Sequence, residues 1–290
     1  MREATWEYDY IIKDLCSDIP GLRPVTFDGY SFNSLLIDET DIGNCSFVFN
    51  CSSIHFSDAL NLIKKTQPPF IFILSDEYST KDEWVEMQKY TKFVFRQYNH
   101  PNYKYELNNI HLPLGYVCNY PIKNKIKPIS ERQYNCSFVG EIKSDRHSMR
   151  DIFEINMPNT NFHVGRTNWG NPLGNDCNPT RLFDIYNDTV FVPNGRGNQS
   201  LNCFRIYEAI IAGAIPVIVG NEEEFKTTFT FENGMPPCIY ASSWVMAVEI
   251  CNNLLKDKKE LQNKQDTLLK WYSEIIDYAK KIIKANVQTP

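Results

Sequence analysis

The sequence predicts an α/β protein made of two Rossmann-like domains in succession, and three observations carry that prediction. Short apolar runs alternate with amphipathic ones along both halves of the chain. A stretch from Cys118 to Tyr134, poor in large aliphatic residues and carrying Pro and Lys, interrupts the alternation as a linker would. The 290 residues, 42% of them hydrophobic and 22% charged, are enough for two domains of about 100–150 residues each. Sheets of this kind bind ligands beyond the C-terminal ends of their strands, so a cleft between two such domains is where a substrate is expected. The expected domains span residues 1–125 and 134–265, with 266–290 a helix packing back on the first.

In the first half, SFVFN (Ser46 to Asn50) reads as a strand and the amphipathic run Phe56 to Lys65 as a helix. FIFIL (Phe70 to Leu74) is a strand buried on both faces, Lys81 to Tyr90 a helix, and KFVFR (Lys92 to Arg96) another strand. HLPLGYV (His111 to Val117) closes the unit with a short strand and turn. The second half repeats the pattern, with strands at Tyr134 to Val139, Asn161 to Val164, Thr189 to Val192, Pro216 to Val219 and Cys238 to Tyr240. Helices fall at Ser148 to Met157, Thr180 to Asn187 and Cys203 to Ala212, and the tail from Ser243 to Ala285 is helical in two or more segments.

Composition excludes several classes. Thirty basic against thirty-five acidic residues give a formal charge of -5, so no global field attracts polyanions, and a nucleic-acid partner is not expected. No secretory apolar region follows Met1, and no apolar run reaches the length that spans a bilayer, so a soluble chain without a membrane anchor is expected. The nine cysteines form no CxxC pair, which fits buried thiols in a reducing compartment better than a disulfide framework. One of the N-x-S/T sequons, at Asn198, lies in a tight loop where a glycan is hard to accommodate, and a cytoplasmic location follows as the expectation.

That loop belongs to VFVPNGRGNQSLNCFRIYEAIIAGAIPVIVG, from Val190 to Gly220. A strand ends at Pro193, Gly195 and Gly197 punctuate a turn, and a helix opens near Cys203. Glycine lets the backbone approach a ligand closely, and exposed amides at a helix start favour an anion. Arg205 and Glu208 share a helical face. The arginine suits a diphosphate and the glutamate a ribose diol. Ser200 stands where the third glycine of G-x-G-x-x-G would be, and no G-K-[ST] follows, so neither dinucleotide nor Walker fingerprint is met. From the residues alone, a surface ion pair between Arg205 and Glu208 stays open beside nucleotide binding.

The stretch PNGRGNQSLNCFRIYEAIIAGAIPVIVG resembles the nucleotide-sugar-binding motif of the exostosin-like (GT47-type) glycosyltransferases, and is similar to that of soluble members encoded by large algal viruses. Pro193 and Gly195 match the turn, Cys203, Phe204 and Arg205 the triplet, Glu208 and Ala209 the helix pair, and Gly213, Pro216 and Val217 the close. Cys203 stands where Ser is often found. The resemblance implies a GT-B fold and a UDP-sugar donor, UDP-xylose among those used. It also implies a hydroxyl of an oligosaccharide or glycoprotein glycan as acceptor, inversion at the anomeric carbon, and no obligate metal. The absence of D-x-D, H-x-H and H-E-x-x-H accords with the last point.

Further candidates come from position. Gly140 ends a strand as a ligand-approach glycine would, and Arg146 and Arg150 follow it as base or phosphate contacts. His163 closes the next strand beside the nucleoside. Asp76 and Glu77 lie just past FIFIL, where a base for the attacking hydroxyl belongs, and His55 is a rival base. Glu222, Glu223 and Glu224 follow the last strand of the motif as donor-sugar contacts or as a helix N-terminus. The rival readings are a retaining glycosyltransferase, a sugar-nucleotide epimerase, and a nucleotide- or glycan-binding module without turnover.

Overall fold

The computed structural model describes residues 9–20, 22–27, 45–50, 55–74, 77, 83–99, 108–122, 125–164 and 178–287. They fall into two compact units, one of residues 1–114 with 275–290, the other of residues 115–274.

The first unit holds a five-stranded parallel sheet in the order β1-β2-β3-β4-β5. Its strands are β1 (Arg23–Phe27), β2 (Cys45–Asn50), β3 (Phe70–Leu74), β4 (Phe93–Arg96) and β5 (Asn109–His111). Alternation along the strands sorts the core. Phe47 and Phe49 of β2, Ile71 and Ile73 of β3 and Val94 of β4 pack with Ala59 and Ile63 of helix α1 (Phe56–Thr66) and with Trp84 and Met87. The intervening aromatics include Phe72 and Phe95, stacked with ring centroids 4.7 Å apart. Every residue of FIFIL is buried, which is why it carries no polar position.

Two local readings are corrected here. The helix expected from Lys81 is a 3-10 helix, Glu83–Tyr90, and residues 81 and 82 lie outside the described set. It buries Trp84 and Met87, three apart, the spacing at which a 3-10 helix aligns side chains. The strand expected at His111 to Val117 is instead Asn109–His111. Pro113 lacks an N–H, and Gly115 has φ +73, so the ladder cannot continue through that segment. Two elements were not expected at all: a π-helix, Tyr10–Cys16, and the edge strand β1, whose Pro24 is tolerated because an edge leaves one side unpaired.

The second unit has a parallel sheet in the order β10-β9-β8-β6-β7. Its strands are β6 (Tyr134–Gly140), β7 (Thr160–Val164), β8 (Thr189–Asn194), β9 (Ile215–Val219) and β10 (Ile239–Ala241). The helices are α2 (Arg146–Asn156), α3 (Pro179–Asn187), α4 (Phe204–Ile211), α5 (Glu222–Phe229), α6 (Trp244–Leu254) and α7 (Lys258–Asn286), the last continuing into the first unit. Helix α2 packs with α6, and α3 with α4. From β6 the chain winds one way to β7 and then returns across β6 to β8, β9 and β10. The strand order therefore reverses between β6 and β8, the place where open α/β sheets leave a crevice for ligands.

At the far end of α4, Arg132 is buried and donates to the carbonyls of Lys127, Tyr186, Thr189 and Ala212. Gln265 of α7 donates to Lys127 O and Gly213 O at 3.0 and 2.8 Å. Gly213 has φ +74, the left-handed conformation that ends a helix at least cost in glycine. Together these groups satisfy the carbonyls that the end of α4 leaves open.

Candidate functional site

The loops after β6 and after β8 flank the point of strand reversal, and most of the residues singled out in the sequence meet there. Strand β6 ends at Gly140 with φ +148. A Cβ at Gly140 would run into the guanidinium of Arg205, 2.9 Å from its Cζ, so only glycine lets that arginine lie across the strand end. Arg205 stands in the first turn of α4, after Cys203 at the N-cap. Its Nε donates to Val139 O at 2.5 Å, and its Cζ lies 5.6 Å from the ring centroid of Phe138. Among the described residues its two terminal nitrogens have no partner.

Arg146 approaches the same ring from the opening of α2, with Cζ 5.7 Å from the centroid. It is only 4% exposed. Nη1 donates to Glu141 O at 3.1 Å and Nη2 to Arg196 O at 2.7 Å. Burial lowers its pKa first, and the neighbouring Arg205 charge lowers it further. Gly195, just past β8, lies against the stem of Arg146, and a Cβ there would fall 2.5 Å from Arg146 Cγ. The Arg196 amide donates to Asp145 at 3.4 Å, and the Gly197 amide to Ser200 O at 2.9 Å.

Glu208, one turn along α4 from Arg205, is 2% exposed. Its Oε1 accepts from the Val117 amide at 3.3 Å, while Tyr120 Oη donates to its backbone carbonyl at 2.7 Å. Burial raises the carboxyl to about 7, partly offset by the Arg205 charge and the Val117 amide. Arg205 and Glu208 form no ion pair, which removes the surface-pair reading. Pro193 is paired with Val217 inside β8, which runs one residue further to Asn194, and the buried thiol of Cys203 lies 3.5 Å from Asn194 Oδ1. Phe204, the first residue of α4, is half-buried.

Two expected contacts lie elsewhere. Arg150, one turn along α2 from Arg146, is held by Asp151 at 2.9 Å and faces Glu154 at 3.7 Å on the helix surface. His163 opens onto a separate groove of about 330 Å³ with Tyr134, Asn161, Arg181 and Asp184, along α3. Burial first, and then the Arg181 charge, lower its pKa. Within the acidic run, Glu224 completes a capping box with Asn221 and pairs with Arg196 at 2.5 Å, and Glu222 pairs with Lys226. In the first unit, His55 is exposed at the N-cap of α1 without a side-chain cap bond, and Glu77 is half-buried. Asp76 lies outside the described residues.

Phe138, Asp145, Arg196 and Val117 escaped sequence reasoning. Asp145 and Arg196 carried a signal, since each borders a glycine-bearing turn. Val117 and Tyr120 meet Glu208 from 91 and 88 residues away, and nothing local marks them. Among the described residues no group of three His, Cys, Asp or Glu comes together as a metal site, and no helix is long and apolar enough to cross a membrane.

A mutant O-GlcNAc transferase of Thermobaculum terrenum superposes with a TM-score of 0.50 over 91% of this chain and 66% of that one, at 11% identity. An α-glucosyltransferase in complex with UDP gives 0.49 over 89% and 84%, at 11% identity. The DNA-modifying enzyme β-glucosyltransferase gives 0.45 over 88% and 84%, at 14% identity. No curated protein matches the sequence. The parallel sheets and this likeness define the fold as GT-B, the α/β architecture of a large class of glycosyltransferases. Residues 100–288, well over half the chain, match the family described as the RXYLT1 C-terminal domain, and the chain belongs to that family.

Proposed function

We propose that this protein is an inverting glycosyltransferase that takes a sugar from a UDP-sugar and joins it to a hydroxyl of a glycan. The observation that carries the reading is the guanidinium of Arg205. It lies over Gly140 at the point of strand reversal, with both terminal nitrogens unpartnered among the described residues and the buried carboxyl of Glu208 one turn away. A diphosphate fits that fork, and a ribose hydroxyl fits the carboxylate.

In the proposed reaction the acceptor oxygen attacks the anomeric carbon from the face opposite the diphosphate. The bond from that carbon to the diphosphate oxygen breaks, UDP departs with the electron pair, and a base takes the hydroxyl proton. Arg205 and the amides opening α4 stabilise the charge on the leaving group. Glu77, Asp76 or His55 is the proposed base. Strands β2 and β3 are parallel, so the segments following them leave the same edge of their sheet.

Xylose as the transferred sugar is supported by the resemblance to exostosin-like enzymes that use UDP-xylose, and by membership of a xylosyltransferase-like family. A neutral glycan acceptor accords with the net charge of -5. Metal-independent transfer is supported by the lack of a D-x-D sequence and by an arginine at the diphosphate position. A cytoplasmic location is supported by the buried free thiols Cys16, Cys136, Cys203, Cys238 and Cys251.

The test is calorimetric titration with UDP, followed by a screen of UDP-sugars for released UDP, with and without chelator. UDP-xylose is expected to turn over best, and the product's anomeric configuration, read by NMR, to be inverted. Failure to bind UDP sinks the reading.

A further inference from the structure

Two arginines share the ring of Phe138, and their donors are spent differently. Arg205 spends only Nε on the protein, at Val139 O. Arg146 spends both terminal nitrogens on backbone carbonyls, Glu141 O in the loop after β6 and Arg196 O in the turn after β8. Those loops lie 55 residues apart in sequence if counted from Glu141 to Arg196, and in the described structure Arg146 joins them directly. The remaining nitrogen, Nε, is buried without a partner and lies 3.3 Å from where a Cβ on Gly195 would be. A phosphate reaching Arg146 would find one N–H of each terminal nitrogen already held by a carbonyl, on a residue only 4% exposed.

We propose that Arg146 is a positioning residue rather than a donor contact: it clasps the turn after β8 to the loop after β6 and so fixes where Arg205 stands. The inference rests on the reading of Arg205 as the diphosphate ligand. The surroundings fit a clasp. Gly195 has no side chain because the Arg146 stem occupies its space, and Asp145 takes the amide of Arg196, the residue whose carbonyl Arg146 holds. Of the two guanidiniums on Phe138, that of Arg205 keeps both terminal nitrogens without a partner among the described residues, and the proposed clasp holds the loops on which it rests.

The test uses the full chain carrying Arg146→Gln and, separately, Gly195→Ala, which crowds the Arg146 stem and leaves the guanidinium's charge in place. Amide hydrogen exchange should rise in the 194–200 segment in both variants while β9 and α6 stay protected. Turnover of the UDP-sugar should fall about 100-fold, as for a misplaced ligand group, and UDP affinity about tenfold with it, the loss expected when Arg205 is displaced by other means. The double variant should be little worse than either single one, because both break the same clasp. Arg146→Lys, which keeps the charge but not the fork, should behave like Arg146→Gln. Loss of UDP binding with unchanged exchange in 194–200 would overturn the proposal and make Arg146 a direct contact. So would full activity in Arg146→Gln. If the wild type binds no UDP, the donor reading fails, and the exchange pattern still decides whether the clasp exists. If Arg146→Gln does not fold, Gly195→Ala and Arg146→Lys carry the same readouts.

Discussion

Arg205 occupies the space that a side chain on Gly140 would need. The two positions are 65 apart in sequence, on different loops, and neither substitution can be read without the other. Arg205→Ala is expected to lower turnover by about 10²–10³-fold, the loss typical of one donor to a developing oxyanion. Steady-state assay of UDP release checks it, and unchanged turnover would remove Arg205 from the reaction.

Gly140→Ala should mimic that loss while leaving the guanidinium chemically intact. The new methyl would clash with Arg205 at a φ of +148, a conformation that L residues rarely adopt. UDP affinity is expected to fall at least about tenfold, since an ion-to-guanidinium hydrogen bond contributes roughly 1.5–3 kcal/mol. Titration calorimetry measures it.

Glu208 ties stability to pH. Its carboxyl is raised to about 7 in the folded protein, above its ordinary value of 4.5. The folded state therefore holds a proton that the unfolded state has released across that interval. Its contribution to stability is full below the ordinary value and is lost as pH rises through about 7. Glu208→Gln should consequently gain stability relative to wild type on going from pH 5 to pH 8, by up to roughly 3 kcal/mol. Thermal melts at the two pH values test the sign. Donor affinity should move oppositely in the wild type, rising through neutrality as the carboxylate becomes available to accept from a ribose diol.

Arg132→Met should cost stability without touching a ligand. The buried guanidinium donates to the carbonyls of Lys127, Tyr186, Thr189 and Ala212, and methionine takes that donor from all four, Lys127 O keeping only Gln265. An expected loss of about 3 kcal/mol or more follows from several buried acceptors losing their donor. Urea denaturation with an unchanged m-value checks it.

Glu77→Gln, Asp76→Asn and His55→Ala separate the three proposed bases. The one that takes the acceptor proton should lose at least about 100-fold in transfer, the scale of general-base assistance, while UDP affinity stays near wild type. Equal transfer rates in all three would place the base elsewhere.

The elements that sequence displayed best are those whose residues are alike on every face. FIFIL and IPVIV are buried throughout, or nearly so, and no loop or surface helix has that composition. The turn after β8 was legible for the opposite reason, because Gly195 and Gly197 have no use in a strand or helix interior. Arg146 and Arg150 were indistinguishable in the sequence, four positions apart on one helix, yet one is buried over Phe138 and the other pairs with Asp151. The sequence places His163 at the end of its strand beside the nucleoside, but its side chain turns along α3, a choice that depends on which face an edge strand presents. The contact between Glu208 and Val117 depends on how the 115–120 segment folds back over α4, which no local pattern encodes.

The amide of Gln265 seals Gly213 O and Lys127 O from the body of α7. A chain shortened ahead of that glutamine would lose the stopper behind the very helix that carries Arg205 and Glu208 at its front. That same cut would also take the buried Leu268 and Trp271, so the back of α4 would be uncovered with Arg205 and Glu208 both still present.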